Sequence, residues 1–353
     1  MARTVNLLIR PGDRSTKVSD VQARLRSLGA DINDEPGFFG SSTERALRAF
    51  QQRRGILVDG KVGPHTWREL VAAGWRLGDR SLYLRNPPFR GDDVEVLQTR
   101  LNALGFDAGR ADGIFGTNTD QAVRAFQREY DVPEDGIFGP RSLRALTGLR
   151  VDREGTTSTL REEIRRDESP GIAGAVIVVD PGHGPGDEGA EVSDAPCEAE
   201  LCWDLGTRVA TKLAGAGAQV RFTRSEKETP DDSERASRAN RLGADLFLSL
   251  HLNAHDEESA QGASTYYWAG SRAGEALAES VQGQLVDLGL ANCRAHGRAY
   301  PVLKETRMPA VLIEPAFMTN SEDRDRLQHE DFRDSLAEAV VQGVRAYLDE
   351  RSG

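Results

Sequence analysis

One segment of this chain occurs twice, and that constrains its architecture more than any other feature. Residues 22–70 return at 98–146 with a constant offset of 76. Gln22, Leu25, Leu28 and Gly29 reappear as Gln98, Leu101, Leu104 and Gly105. The run Arg48-Ala49-Phe50-Gln51 reappears as Arg124-Ala125-Phe126-Gln127, and Gly63-Pro64 as Gly139-Pro140. So many matches in one register mean a duplicated structural unit. Val18, Val21, Leu25 and Leu28 share one helical face, as do Val94, Leu97, Leu101 and Leu104. Gly29 and Gly105 suit a left-handed helix stop. Proline after Gly63 and Gly139 suits the first turn of a further helix. Each copy therefore predicts a small helical bundle, with a core that is marginal but feasible at roughly 60 residues.

The two halves of the chain differ in charge. Residues 1–150 carry 23 basic and 19 acidic residues, whereas residues 151–353 carry 22 and 37. Two kinds of module are joined, and neither has the basic stripe of a nucleic-acid binder. The 353 residues are 38% hydrophobic and 29% charged, ordinary for a globular protein. No stretch approaches the roughly 20 apolar residues of a membrane span. The apolar run at Val5–Ile9 is too short for a signal-peptide core, so the chain as written is expected in the cytoplasm. A missing leader or non-classical export would instead place it in the cell wall. The three cysteines, Cys197, Cys202 and Cys293, cannot all pair and argue against a disulfide framework.

Residues 149–172 are polar and charged and read as a tether. Beyond them strands and helices alternate. Ala175–Val179, Gln219–Phe222, Leu246–Leu250 and Val311–Ile313 read as strands. Helices are predicted over 199–214, 274–288 and the C-terminal stretch containing Leu336, Val340, Val344 and Tyr347. This is an α/β domain with a largely parallel sheet covered by helices.

Three of those strands run into ionisable groups: Asp180 with His183 just beyond, His251, and Glu314. Ligands of open α/β sheets bind beyond the carboxyl ends of strands. Two histidines and carboxylates delivered there converge on one crevice. Glu198 opens the helix after the first strand, where an acidic side chain also suits the helix dipole. Two imidazoles and one carboxylate form a catalytic zinc set with a position left for water. His183, Glu198 and His251 are the candidate ligands, and Glu314 is free to act as general acid/base. His255, four residues after His251, is a competing ligand. His65, His296 and His329 lack such a context and read as surface or packing residues.

These residues carry a resemblance. The segments Asp180-Pro181-Gly182-His183-Gly184-x-x-Asp187-x-Gly189-Ala190, Glu198, Arg235-x-x-x-Ala239-Asn240, Ser249-Leu250-His251-x-Asn253-Ala254 and Ile313-Glu314-x-x-Phe317 resemble the amidase type 3 family of N-acetylmuramoyl-L-alanine amidases. The duplicated segment, with Asp-Gly-x-Phe-Gly-x-x-Thr in its second copy, resembles the peptidoglycan-binding type 1 module, a three-helix fold. The resemblance implies zinc on His183, Glu198 and His251, with Glu314 as the catalytic residue. Glu198 fits the family's register better than Glu200. The fold class expected is multidomain, two small all-α modules followed by an α/β amidase domain with a parallel or mixed sheet. The expected divisions are modules at 10–75 and 91–148, linkers at 76–90 and 149–172, and the amidase domain at 173–350.

The expected function is hydrolysis of the bond between N-acetylmuramic acid and L-alanine in peptidoglycan or muropeptides. The alternative is an amidase-like regulatory or binding protein inside the cell, partnered with a cell-wall synthesis enzyme and hydrolysing little. Three departures from the family pattern bear on this choice. Pro185 and the pair Pro315-Ala316 stand near or at positions where the family usually has glycine. Proline fixes φ, and alanine resists a positive φ.

Overall fold

The computed structural model describes residues 8–148, 171–192 and 195–350. It forms two compact units, Met1–Ile164 and Arg165–Gly353. Nearly all of the expected tether, and residues 1–7, lie outside the described residues.

The first unit contains α1 (Thr16–Ser27), α2 (Ser41–Arg54), α3 (Pro64–Ala72), α4 (Asp92–Ala103), α5 (Thr117–Glu129) and α6 (Pro140–Thr147). The Ser15 hydroxyl caps α1 by accepting from the Val18 N–H. Val18, Val21 and Leu25 point inward and are fully buried. Gly29 and Gly105 follow the ends of α1 and α4 at φ of 87° and 90°, the left-handed stop predicted for them.

A finer repeat lies inside the duplication. Four buried glutamines each close one loop. Gln22 accepts from the Gly37 N–H and donates to the Phe38 carbonyl, both at 2.9 Å. Gln51 does the same with Gly60 and Lys61, Gln98 with Gly113 and Ile114, and Gln127 with Gly136 and Ile137. Each loop reads Gly-x-Phe/Val-Gly, as in Gly113-Ile114-Phe115-Gly116. Its first glycine has a φ between 72° and 83°. The aromatic or valine is buried, and the second glycine caps the next helix. A buried amide must satisfy both its ends, and here the loop backbone does so.

The stretch expected as a linker at 76–90 contains packed residues. Leu82 is fully buried and exchanges both backbone hydrogen bonds with Phe138. Phe89 and Leu77 join the same core. These apolar residues pack with the second module.

The second unit is a six-stranded mixed sheet in the order β2-β1-β3-β6-β4-β5. Its strands are β1 (Val176–Pro181), β2 (Gln219–Phe222), β3 (Leu246–Leu250), β4 (Ala263–Tyr267), β5 (Asn292–Gly297) and β6 (Ala310–Glu314). β1 pairs with β2 and β3, and β3 with β6, all parallel; β4 runs antiparallel to β6. Helices α7 (Glu198–Gly215), α9 (Arg272–Asp287) and α12 (Glu330–Asp349) cover one face through Leu205, Val281 and Val340. Helices α8 (Asp232–Leu242) and α10 (Pro301–Lys304) cover the other through Ala239 and Leu303. A short helix α11 spans Ser321–Gln328. All five residues of β3 are buried, as a strand covered on both faces requires. Among the described residues no helix is long and apolar enough to cross a membrane.

Candidate metal centre

The parallel arrangement brings the ends of β1, β3 and β6 side by side. Leu250 pairs with Ile313, and the His251 N–H donates to the Ile313 carbonyl at 2.9 Å. His251 and Glu314 are therefore delivered at neighbouring strand ends. Asp180, buried at the end of β1, accepts from the hydroxyls of Thr223 and Ser249 and from Arg235 at 2.8 Å. Arg235 also donates to the carbonyls of Pro181 at 2.7 Å, His183 at 2.6 Å and Pro230 at 3.0 Å. This buried pair fixes the loop that carries His183. The loop needs fixing, because His183 has a φ of 56°, which is uncommon for a side chain of its size.

Glu198 is the first residue of α7 and is only 4% exposed. Its Oε2 accepts from the Ala190 N–H at 2.8 Å and its Oε1 from the Leu252 N–H at 3.0 Å. Glu200 instead accepts from the Cys197 N–H at 3.2 Å and closes the helix cap. That division of labour separates the two nearby acids.

Glu198 Oε1 stands 3.1 Å from His183 Nε2 and 3.2 Å from His251 Nδ1. One donor atom from each of the three residues lies within 4.8 Å of the others. The backbone makes room for this approach. A Cβ on Gly182 would fall 2.6 Å from both ring nitrogens of His251, and one on Gly189 would fall 2.7 Å from the His183 ring. Two nitrogens and one oxygen, drawn together in a cradle closed to further side-chain atoms, fit a zinc ion's donor preferences.

The electrostatics fit a cation as well. Burial alone would raise the Glu198 carboxyl, but hydrogen bonds and charge from His183 and His251 hold it far below the usual range. Burial opposes protonation of His183, yet Asp187 and Glu198 raise it to about 9. Glu314 behaves differently. Burial pushes it up to about 7, His251 partly offsets this, and Glu198 adds to it. Its Oε2 lies 3.5 Å from the Ser264 hydroxyl.

His255 does not join the cluster. It is exposed, and its Nδ1 accepts from the Glu257 N–H at 3.0 Å. The departures from the family pattern are accommodated. Ala316 does not adopt a positive φ, and its carbonyl accepts from the Asn253 N–H at 2.9 Å. Pro185 sits in a tight turn whose two backbone hydrogen bonds are made by Gly184 and Asp187. Reading the sequence assigned no role to Asp187, whose carboxylate stands 3.0 Å from His183 Nδ1. Its signal is its place in the family-like run from Asp180 to Ala190, four residues after the histidine.

Fold and cluster together define a class: an α/β domain with a candidate metal centre at its strand ends, preceded by two small helical modules. Comparison with known proteins gives the family. Residues 177–346 match the N-acetylmuramoyl-L-alanine amidase family, and residues 14–70 and 90–146 match the putative peptidoglycan binding domain. The chain is 38% identical over 364 residues to N-acetylmuramoyl-L-alanine amidase CwlM of Mycobacterium tuberculosis, covering 96% of this chain and 89% of that protein. The chain belongs to the N-acetylmuramoyl-L-alanine amidase family. It is also 35% identical over 196 residues to N-acetylmuramoyl-L-alanine amidase LytC of Bacillus subtilis, covering 55% of this chain and 39% of that protein. A solved N-acetylmuramoyl-L-alanine amidase from Clostridium difficile 630 is 33% identical, with a TM-score of 0.48, covering 50% of this chain and 97% of that one.

Proposed function

We propose that this chain is a zinc-dependent amidase that hydrolyses the amide between N-acetylmuramic acid and L-alanine in peptidoglycan or its fragments. The observation that carries the proposal is the convergence of His183, Glu198 and His251 beside an unligated acid, Glu314. His183 Nε2, His251 Nδ1 and Glu198 Oε1 would hold the ion. When bound, zinc supplies Lewis acidity toward a scissile carbonyl and acidifies water.

The protein's own residues do the rest. Glu314, raised to about 7, is poised to take a proton from attacking water at neutral pH and return it to the leaving nitrogen. Arg235 and Asp180 hold the His183 loop in place from beneath. The N-terminal modules would keep the polymer near the catalytic domain, raising its effective concentration.

The test is mass spectrometry of muropeptides after incubation with metal-loaded protein. Release of free stem peptide is expected. Intact muropeptides, with stoichiometric zinc bound, would leave the chain a binding or regulatory protein.

A further inference from the structure

We propose that Asp187 is a positioning residue for His183, carried into place by a turn built on Pro185; this rests on the metal-centre reading above. An imidazole can offer either ring nitrogen, and only one of the two on His183 faces the cluster. Nε2 stands 3.1 Å from Glu198 Oε1, while Nδ1 stands 3.0 Å from Asp187 Oδ1. A carboxylate only accepts, so Asp187 holds a proton on Nδ1 and leaves Nε2 as the nitrogen that gives up its proton when an ion binds. It also holds the ring against rotation on a loop residue of left-handed backbone.

Asp187 is itself held in position. Its backbone closes a two-residue turn: the Gly184 N–H donates to the Asp187 carbonyl at 3.0 Å, and the Asp187 N–H donates to the Gly184 carbonyl at 2.9 Å. Pro185 and Gly186 are the central residues, and Gly186 has a φ of 85°. Proline followed by a positive-φ glycine is the signature of a type II turn. Proline's missing N–H is not needed there, since the turn's donors are its neighbours. The Thr229 hydroxyl pins the Pro185 carbonyl at 2.8 Å. The departure from the family's glycine thus stiffens the segment that presents Asp187.

The Asp187 side chain is 58% exposed, so its loss removes little packing. That allows a direct experiment on the full chain. Zinc affinity is measured by competition with a chromophoric chelator for wild type, Asp187→Ala, Asp187→Asn and Pro185→Gly, with the melting midpoint of each zinc-free protein. Asp187→Ala is expected to weaken zinc binding about 10–100-fold, more than its small shift in the zinc-free midpoint accounts for. Asp187→Asn, whose amide oxygen still accepts the Nδ1 proton, should recover part of that loss. Pro185→Gly should weaken binding by about twofold to fivefold. Proton NMR of the zinc-loaded wild type should show a hydrogen-bonded His183 Nδ1 proton that exchanges faster in Asp187→Ala. Wild-type affinity in Asp187→Ala overturns the positioning role while leaving the metal centre standing. A wild type that binds no zinc removes the metal centre and the positioning role with it.

Discussion

The two units solve the same problem with different chemistry. Each must hold a loop in a fixed shape at the end of a regular element. In the N-terminal modules four uncharged glutamine side chains do this, each reading its loop's backbone through one donor and one acceptor. In the amidase domain an ion pair, Asp180 with Arg235, does it from beneath the loop. A neutral amide leaves no residual charge in a small core, which suits a module whose burial margin is thin. A buried charge pair suits a loop that presents metal-binding groups, where removing one partner leaves an uncompensated charge. Rigidity in the first unit keeps a shape, whereas in the second it keeps an electrostatic environment.

The contrast predicts where substitutions act. The largest effect should come from His183→Ala or His251→Ala, each expected to abolish stoichiometric zinc in metal analysis of purified protein. A variant that kept one ion per chain would break the assignment. Glu314→Gln should retain zinc and lose about 10²–10⁴-fold in turnover of a muropeptide. The same residue sets a pH dependence. A carboxyl raised to about 7 is protonated below that value and cannot serve as a base. kcat/KM should therefore rise with pH to about 7 and then level off, and a flat profile through this range would separate Glu314 from the reaction.

Smaller effects belong to the modules. Deleting residues 1–148 should weaken binding to isolated sacculi in a pull-down yet leave cleavage of small muropeptides in place. Equal retention of the truncated chain would reduce the modules to spacers. Gln98→Ala leaves the Gly113 N–H and Ile114 carbonyl without their partner. It should cost the second module about 1–3 kcal/mol in denaturant unfolding without changing zinc affinity. A shift in zinc affinity there would mean the two units are not energetically separate.

Much of this was legible in the sequence because it is local. The duplication, the helix faces of α1 and α4, and the apolar β3 announce themselves through spacing and periodicity. The candidate ligands could be picked out because each sits just past a buried strand or at a helix start. The finer glutamine repeat was hidden by unequal spacing: Gln22 and Gln98 reach glycines fifteen residues on, whereas Gln51 and Gln127 reach only nine. β4 and β5 escaped because their residues, such as Asn292-Cys293-Arg294-Ala295-His296, carry no apolar alternation. Their pairing is decided by neighbours distant in sequence. The packing of Leu82 was hidden for a related reason, since it shows only through the pairing with Phe138.

The narrowness around Gly182 has an evolutionary reading. A single added methyl group at that position would occupy the volume that the His251 ring fills. One nucleotide change could thus disrupt the cluster while His183, Glu198 and His251 all stayed in the gene. A relative scored only for its ligands would pass as a working enzyme, so the silent glycine should be scored alongside them.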